Sequence, residues 1–182
     1  MKHISGSYCS NVKLMLTLPK QCIFNVKDCD LVDKNRKNQI IRAGDFTFTI
    51  YQSNGKKVHI TGIRDFEQIP SLLKFLSCRI NLNIDQISTL YIVNNSTWHF
   101  SIKEKVNLQK IVDFFNKQAP LNLKLKFDPQ RFPGLTIKWI LQGGCAILFN
   151  SGKVNIMGVK SQAEFFRLRI KVLSIVNIVK YL

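Results

Sequence analysis

Apolar and polar residues alternate along much of this chain, and that alternation predicts β-strands. Apolar side chains recur at every second position in 11–18 (NVKLMLTL) and 45–52 (DFTFTIYQ), and 144–150 (GCAILFN) is a continuous apolar run of strand length. A longer stretch with similar alternation, STLYIVNNSTWHFSI, covers 88–102. Successive side chains of a strand point to opposite faces. The strands that alternate can therefore bury one face and leave the other polar.

Two stretches about half the chain apart repeat one pattern. Residues 57–64 are KVHITGIR, and residues 153–160 are KVNIMGVK. Each follows an apolar strand and a turn sequence, SNGK or SGK, so each is predicted to be the second strand of a hairpin. We therefore expect two related repeats, 1–84 and 85–182, packed as one structural unit.

Helical periodicity follows both hairpins. The first such segment predicts a helix over roughly 67–80, and the second predicts one from 161 onward, where Ser161 and Glu164 have capping-box spacing. A short helix is expected over 107–117, with Asn107 as its N-cap, and a weaker counterpart near 22–33. Antiparallel strands with helices on one face make an α+β fold, whose other face is left as an interaction surface.

Charge narrows the choice of partner. Lys and Arg number 27 against 11 Asp and Glu, which gives a net charge of +16. Such a field attracts polyanions, with nucleic acid as the first candidate and acidic protein surfaces as the second. The alternative is that the positive charge only keeps the protein soluble.

Cysteine usage and hydropathy add a few expectations. Five Cys without a CxxC pair suit neither a disulfide framework nor a zinc site, which favours a reducing intracellular compartment. Cys78 and Cys145 lie among apolar residues and are predicted to be core packing. We expect no metal, no cofactor, no signal peptide and no membrane span.

The sequence contains no catalytic constellation. His3, His59 and His99 lack Cys or carboxylate neighbours at useful spacing, and the acidic residues are scattered. No strand-end carboxylate pair for two-metal chemistry and no Gly-rich phosphate loop is present. We therefore predict that the protein is not an enzyme.

Residues 127–160 carry a family resemblance. FPGL at 132–135, Phe149, SGK at 151–153 and MGVK at 157–160 resemble, in order and spacing, the second repeat of the TATA-box-binding protein family. The first half resembles the family mainly at 49–62, TIYQSNGKKVHITG. The resemblance implies a pseudo-twofold saddle with a curved antiparallel sheet and four helices on its convex face. It also implies a transcription initiation factor that binds and bends A/T-rich promoter DNA in the minor groove.

The resemblance also implies particular DNA contacts. Phe132 and Phe149 stand where the family inserts a wedge between base steps. Asn11 and Asn95 match amides that face the acceptors of the groove floor, although Asn94 leaves the register of Asn95 open by one. The alternatives are core packing for the Phe and strand-edge positions for the Asn. The implied DNA-binding residues are Asn11, Lys13, Thr49, Tyr51, His59, Thr61, Asn95, Thr97, Phe132, Ile147, Phe149, Asn155 and Met157.

The chain departs from the family pattern in its first half. The first Phe of that half is missing near Lys37, and Tyr51 replaces the second. Lys13, His59 and Asn155 replace small or apolar groove-facing residues. Residues 128–131, DPQR, differ in charge from the acidic stretch with which family members meet transcription factor IIB, so partner choice is expected to have changed.

The remaining expectations concern the partners, an alternative function, the source and the location of the protein. The partners implied are double-stranded DNA and initiation factors or RNA polymerase, and a free sheet face leaves a homodimer open. The alternative function is an adaptor that binds an acidic transcription or repair protein without TATA-specific DNA binding. The abundance of Lys, Asn and Ile suggests a divergent homologue from a large DNA virus or an A/T-rich unicellular genome. Its location would then be the nucleus, or a cytoplasmic viral factory if it is viral.

Overall fold

A computed structural model describes residues 6–19, 22, 30–34, 38–51, 56–118, 120–141 and 143–180. The elements of this part of the chain are β1 (Ser7–Leu18), β2 (Asp30–Lys34), β3 (Asn38–Ala43), β4 (Phe46–Tyr51), β5 (Lys56–Ile63), α1 (Gln68–Ser77), α2 (Ile84–Leu90), β6 (Tyr91–Ser101), α3 (Leu108–Gln118), β7 (Leu123–Asp128), β8 (Phe132–Trp139), β9 (Cys145–Phe149), β10 (Lys153–Val159) and α4 (Gln162–Lys180). None of the helices described is long and apolar enough to cross a membrane.

The chain forms two compact units. We call Cys9–Asn95 the first unit, and Met1–Tyr8 together with Ser96–Leu182 the second unit. Neighbouring strands follow the order β2-β3-β4-β5-β1 in the first unit and β6-β10-β9-β8-β7 in the second. The pairs within each unit are antiparallel. The repeat boundary between 84 and 85 stays a prediction.

Alternation builds the core of the first unit. Leu14, Phe48 and Ile60 come from one face of the strands and are fully buried. Leu72 and Leu76 of α1 pack into the same cluster. The strands therefore bury one face under helices, as their period of two predicts.

The segment between α1 and β6 differs from the prediction. The strand expected from residue 88 begins only at Tyr91, because α2 runs to Leu90. A capping box starts α2: Asn83 accepts from the Gln86 backbone N–H at 2.8 Å, and Gln86 accepts from the Asn83 N–H at 3.0 Å. Ile87 then anchors the helix in the core.

Three other expectations for the first half fall largely or wholly outside the described residues. Most of the helix expected near 22–33 lies there, and the described residues Asp30–Lys34 form strand β2 instead. The turn at Asn54–Gly55 and the position of Lys37 also lie outside the described part of the chain.

Aromatic stacking dominates the core of the second unit. Phe165 of α4 stacks on Trp98 of β6, with ring centroids 4.3 Å apart, and both are buried. The buried Ser96 hydroxyl accepts from Trp98 Nε1 at 3.1 Å and donates to the Val159 carbonyl at 2.8 Å. This contact satisfies the indole N–H, so the large ring is buried without an unmet donor.

The predicted helix starts in the second half are confirmed. The Lys110 backbone N–H donates to Asn107 Oδ1 at 3.0 Å, which makes Asn107 the N-cap of α3. The Glu164 N–H donates to Ser161 Oγ at 3.2 Å at the start of α4. In a capping box, Glu164 would accept from the backbone N–H of Ser161. It accepts instead from the N–H of Lys160, one residue earlier, at 2.7 Å.

The glycines shared by the two repeated stretches have a common geometry. Gly62 and Gly158 have φ of +90° and +80°, and each lies where the register of its strand shifts against β1 or β6. A Cβ at Gly62 would overlap the backbone oxygen of Asp45. The repeated glycine therefore allows a bulge and a close backbone approach that no other residue accommodates easily.

The prediction that Cys78 and Cys145 pack in the core is wrong. Cys78 is exposed just past the end of α1, and Cys145 is half-buried on the face of β9 that points away from the core. Apolar sequence neighbours placed both in the core, but the strand and helix phases turn them outward. Both Cys78 and Cys145 are free thiols. Within the described residues, no group of three or more side chains could hold a metal ion.

Candidate nucleic-acid interface

In each unit, one sheet face points away from the helix-covered core, and we call it the open face of that unit. The predicted contact residues Lys13, Thr49, Tyr51, His59 and Thr61 lie half-buried on the open face of the first unit. Cross-strand partners there are Thr49 with His59 and Thr61 with Thr47. The Tyr51 and His59 rings meet edge to face, with centroids 5.0 Å apart.

His59 lies in positively charged surroundings. Burial lowers the pKa of its imidazole below the ordinary value, and Lys13 and Lys57 lower this pKa further. The uncharged ring offers one donor and one acceptor nitrogen. The open face of the first unit is therefore polar and basic, with Tyr51 in place of a more apolar aromatic residue.

Both predicted amides lie where a strand turns two side chains away from the core in succession. Cys9 and Val12 contact the core, and Ser10 and Asn11 between them are exposed. Val93 likewise packs on the core, after which Asn94 is exposed and Asn95 half-buried. Which of the two residues, Asn94 or Asn95, takes the predicted contact position stays open, as it does from the sequence alone.

The open face of the second unit holds the remaining predicted residues in adjacent rows. Asn155 lies between Ile147 and His99, and Met157 lies between Cys145 and Thr97. Phe149 lies opposite Gly134 at the end of the same hairpin. The structure thus brings Thr97, Phe132, Ile147, Phe149, Asn155 and Met157 onto one face of one unit.

Phe132 and Phe149 form a ring pair. Their centroids are 5.9 Å apart at an interplanar angle of 67°, and Phe132 remains 42% exposed. Gly134 lies beneath them, where an added Cβ would approach Phe132 Cε1 and Ile147 Cγ2 to 2.7 Å. The glycine of the FPGL motif therefore makes room for the two rings, and one of them projects from the protein surface.

Sequence reasoning missed several residues of this face. Lys124 and Lys126 of β7 and Lys138 of β8 are exposed, and the register of Lys138 with Cys145 places them on the open face. The alternation in 123–126, LKLK, was the signal that could have found two of them. Tyr8 was also missed, because nothing local distinguishes it from an ordinary strand aromatic.

Comparisons with known proteins agree with this geometry. Residues 90–179 match the family described as "Transcription factor TFIID (or TATA-binding protein, TBP)". Among solved structures, "Methanococcus jannaschii TBP" matches with a TM-score of 0.67 and 17% sequence identity, covering 94% of this chain and 98% of that one. No curated protein matches the sequence significantly.

The family that matches residues 90–179 consists of non-enzymatic DNA-binding factors. The family match over residues 90–179 and the shared fold support a divergent protein similar to the TATA-box-binding protein family, whose members bind DNA and other transcription factors. These findings support the predicted resemblance to the family, and the predicted α+β fold class is confirmed.

Proposed function

We propose that the protein is a transcription initiation factor that binds A/T-rich promoter DNA in the minor groove and bends it. The observation that carries the proposal is the Phe132–Phe149 ring pair on the open face of the second unit. An apolar ring that projects from a polar and basic surface is unfavourable in water. Insertion between base steps would bury it.

The ring pair suits a wedge physically. Separating stacked bases costs a few kcal/mol per step, and a bent duplex recovers that energy by contacting more protein. The edge-to-face contact with Phe149 holds Phe132 in place before DNA arrives. Less conformational entropy is then lost on binding.

Lysines on the same face favour the phosphate backbone. Lys124, Lys126 and Lys138 lie on the outer strands of the second unit, and the whole chain carries +16. Each phosphate neutralised releases counterions, so affinity falls linearly with salt on logarithmic axes, with a slope of about −0.9 per contact.

The first unit supports a weaker kink. Tyr51 is the counterpart of Phe149 in the repeated pattern, and its cross-strand partner is Asn38, where the second unit has Gly134. An Asn side chain occupies space that Gly134 leaves for the rings. We therefore propose one strong wedge, in the second unit, and a mainly polar contact in the first.

A bending assay with salt titration tests this function. Donor and acceptor dyes on the ends of an A/T-rich duplex should show increased energy transfer on adding protein. The logarithm of the association constant should fall steeply with the logarithm of salt concentration. Absence of duplex binding at moderate salt, or binding without any change in transfer, would contradict the proposal.

The polar first unit favours a second candidate function. Lys13, Lys57 and His59 form a basic surface that also suits carboxylates, so an adaptor for an acidic transcription or repair protein is the alternative. Co-purification of an acidic protein that duplex DNA does not displace would favour it.

Initiation factors or RNA polymerase are the proposed further partners, and a homodimer remains an alternative. We propose the nucleus as the location, or a cytoplasmic factory if the source is viral.

A further inference from the structure

Three side chains on the open face of the second unit are connected in series. The Tyr8 ring stacks on the His99 ring, with centroids 5.0 Å apart and an interplanar angle of 25°. His99 Nδ1 lies 2.7 Å from Asn155 Oδ1. Tyr8 is 62% exposed, whereas Asn155 is half-buried between Ile147 and His99. The series thus leads from the surface to the middle of the face.

The amide orientation sets the direction of this hydrogen bond. Asn155 presents its oxygen to His99, and an amide oxygen can only accept, so in this arrangement His99 takes the tautomer that donates from Nδ1–H. The carbonyl of Asn155 is then occupied within the protein. Its NH₂ group, which lies on the opposite side of the same planar amide, is directed away from His99.

We propose that Tyr8 and His99 are positioning residues that hold the Asn155 amide with its N–H donors toward bound DNA, which makes Asn155 a determinant of A·T over G·C selection. This inference rests on the proposed function. In the minor groove, A·T pairs present only acceptors, and G·C adds the N2 amino donor. Two N–H donors therefore attract A·T and repel guanine N2.

The stack matters because an asparagine amide can rotate. A half turn about its terminal torsion exchanges oxygen and nitrogen, and the exposed oxygen would then accept from guanine N2. The hydrogen bond to His99 prevents that exchange, and the Tyr8 ring holds the imidazole plane in place. Without the stack we expect selectivity to decrease more than affinity.

Base substitution in the minor groove tests the role of Asn155. A duplex carrying an A/T-rich site is compared with duplexes in which one A·T pair at a time is replaced by G·C or by inosine·C, which lacks the N2 amino group. Full-length protein should bind the inosine duplexes like A·T, and at one or two adjacent positions G·C should weaken binding by about tenfold. Asn155→Leu should reduce that difference to within about threefold.

Variants of the two positioning residues separate stacking from hydrogen bonding. Tyr8→Phe keeps the ring and should retain wild-type selectivity, whereas Tyr8→Ser should lose it. His99→Phe keeps a stacking ring without the donor and should lose selectivity as well. Asn177→Leu on the exposed side of α4 is the matched control and should change nothing.

The outcomes distinguish this inference from the proposed function. If wild-type protein binds no duplex, or treats inosine·C like G·C, the minor-groove function itself fails. If wild-type protein discriminates and Asn155→Leu or Tyr8→Ser keeps the same ratio, the inference is wrong and the stack is merely structural. Nitrogen-15 spectra of the free protein at pH 8 give a DNA-independent check, since an Nε2–H tautomer at His99 would also overturn it.

Discussion

Removal of the exposed ring pair should abolish DNA bending while leaving the fold intact. The perturbation is Phe132→Ala combined with Phe149→Ala. Full burial of a Phe side chain contributes about 1.5–3 kcal/mol, and the edge-to-face contact adds about 0.5–1.5 kcal/mol. Phe132 retains 42% exposure, so truncating it should lower the free energy of unfolding by only about 1–2 kcal/mol.

Two measurements check this expectation. Urea unfolding of the two single variants and the double variant should show a coupling of about 0.5–1.5 kcal/mol between the rings. End-labelled A/T-rich duplexes should then show no change in energy transfer with the double variant. Salt-dependent binding should persist, because the lysines on this face are unchanged.

The chain supplies a matched control. Phe114 and Phe115 of α3 also form an edge-to-face pair, with centroids 5.1 Å apart and an angle of 88°, but they lie on a helix. Their double Ala variant should reduce stability without affecting bending. If both double variants bend the duplex as the wild type does, the wedge reasoning is refuted.

Three further predictions concern the fold. The pKa of His59 is lowered by burial and by its lysine neighbours, so the unfolded chain takes up a proton first. Stability should therefore fall as the pH drops from about 6.5 through the lower pKa of the folded state. In urea unfolding, the midpoint concentration should depend less on pH for His59→Gln than for the wild type. Phe165→Ala removes a fully buried, stacked ring and should cost about 3–5 kcal/mol in urea unfolding, against a smaller loss for half-buried Phe166→Ala. Gly62→Ala should destabilise by more than the roughly 1–2 kcal/mol of a left-handed backbone, because its Cβ overlaps a carbonyl oxygen. Gly143 has φ of +65° with open space around its Cα, so Gly143→Ala is a control that measures the backbone penalty alone in thermal melts. Equal losses of stability in the Gly62 and Gly143 variants would contradict the overlap.

Local sequence patterns were sufficient to predict much of the fold. Alternation located the strands because a strand has a period of two, whatever it packs against. The starts of α3 and α4 were predicted because Asn107 and Ser161 cap through hydrogen bonds within four residues. The repeated glycines indicated the family because few residues tolerate their backbone geometry, and the FPGL motif did so because its glycine leaves space for two Phe rings.

Short-range ambiguity produced the errors. Residues 84–90 carry too little periodicity to predict a helix, and α2 depends on a capping box and one buried Ile87. Cys78 and Cys145 have apolar neighbours in sequence, but burial depends on which side of the helix or strand a residue takes. Both outcomes depend on packing partners that a single sequence window does not contain.

The sequence by itself determined the repeated hairpins, the covering helices and the excess of positive charge, because each depends on local periodicity or on a sum over residues. Only the tertiary structure placed Tyr8, His99 and Asn155 in one series and set the lysines of β7 and β8 on the same face as Phe132. These residues are far apart along the chain. Their proximity depends on strand pairing and on bulges that shift the register, and a shift of one residue turns every side chain to the other face.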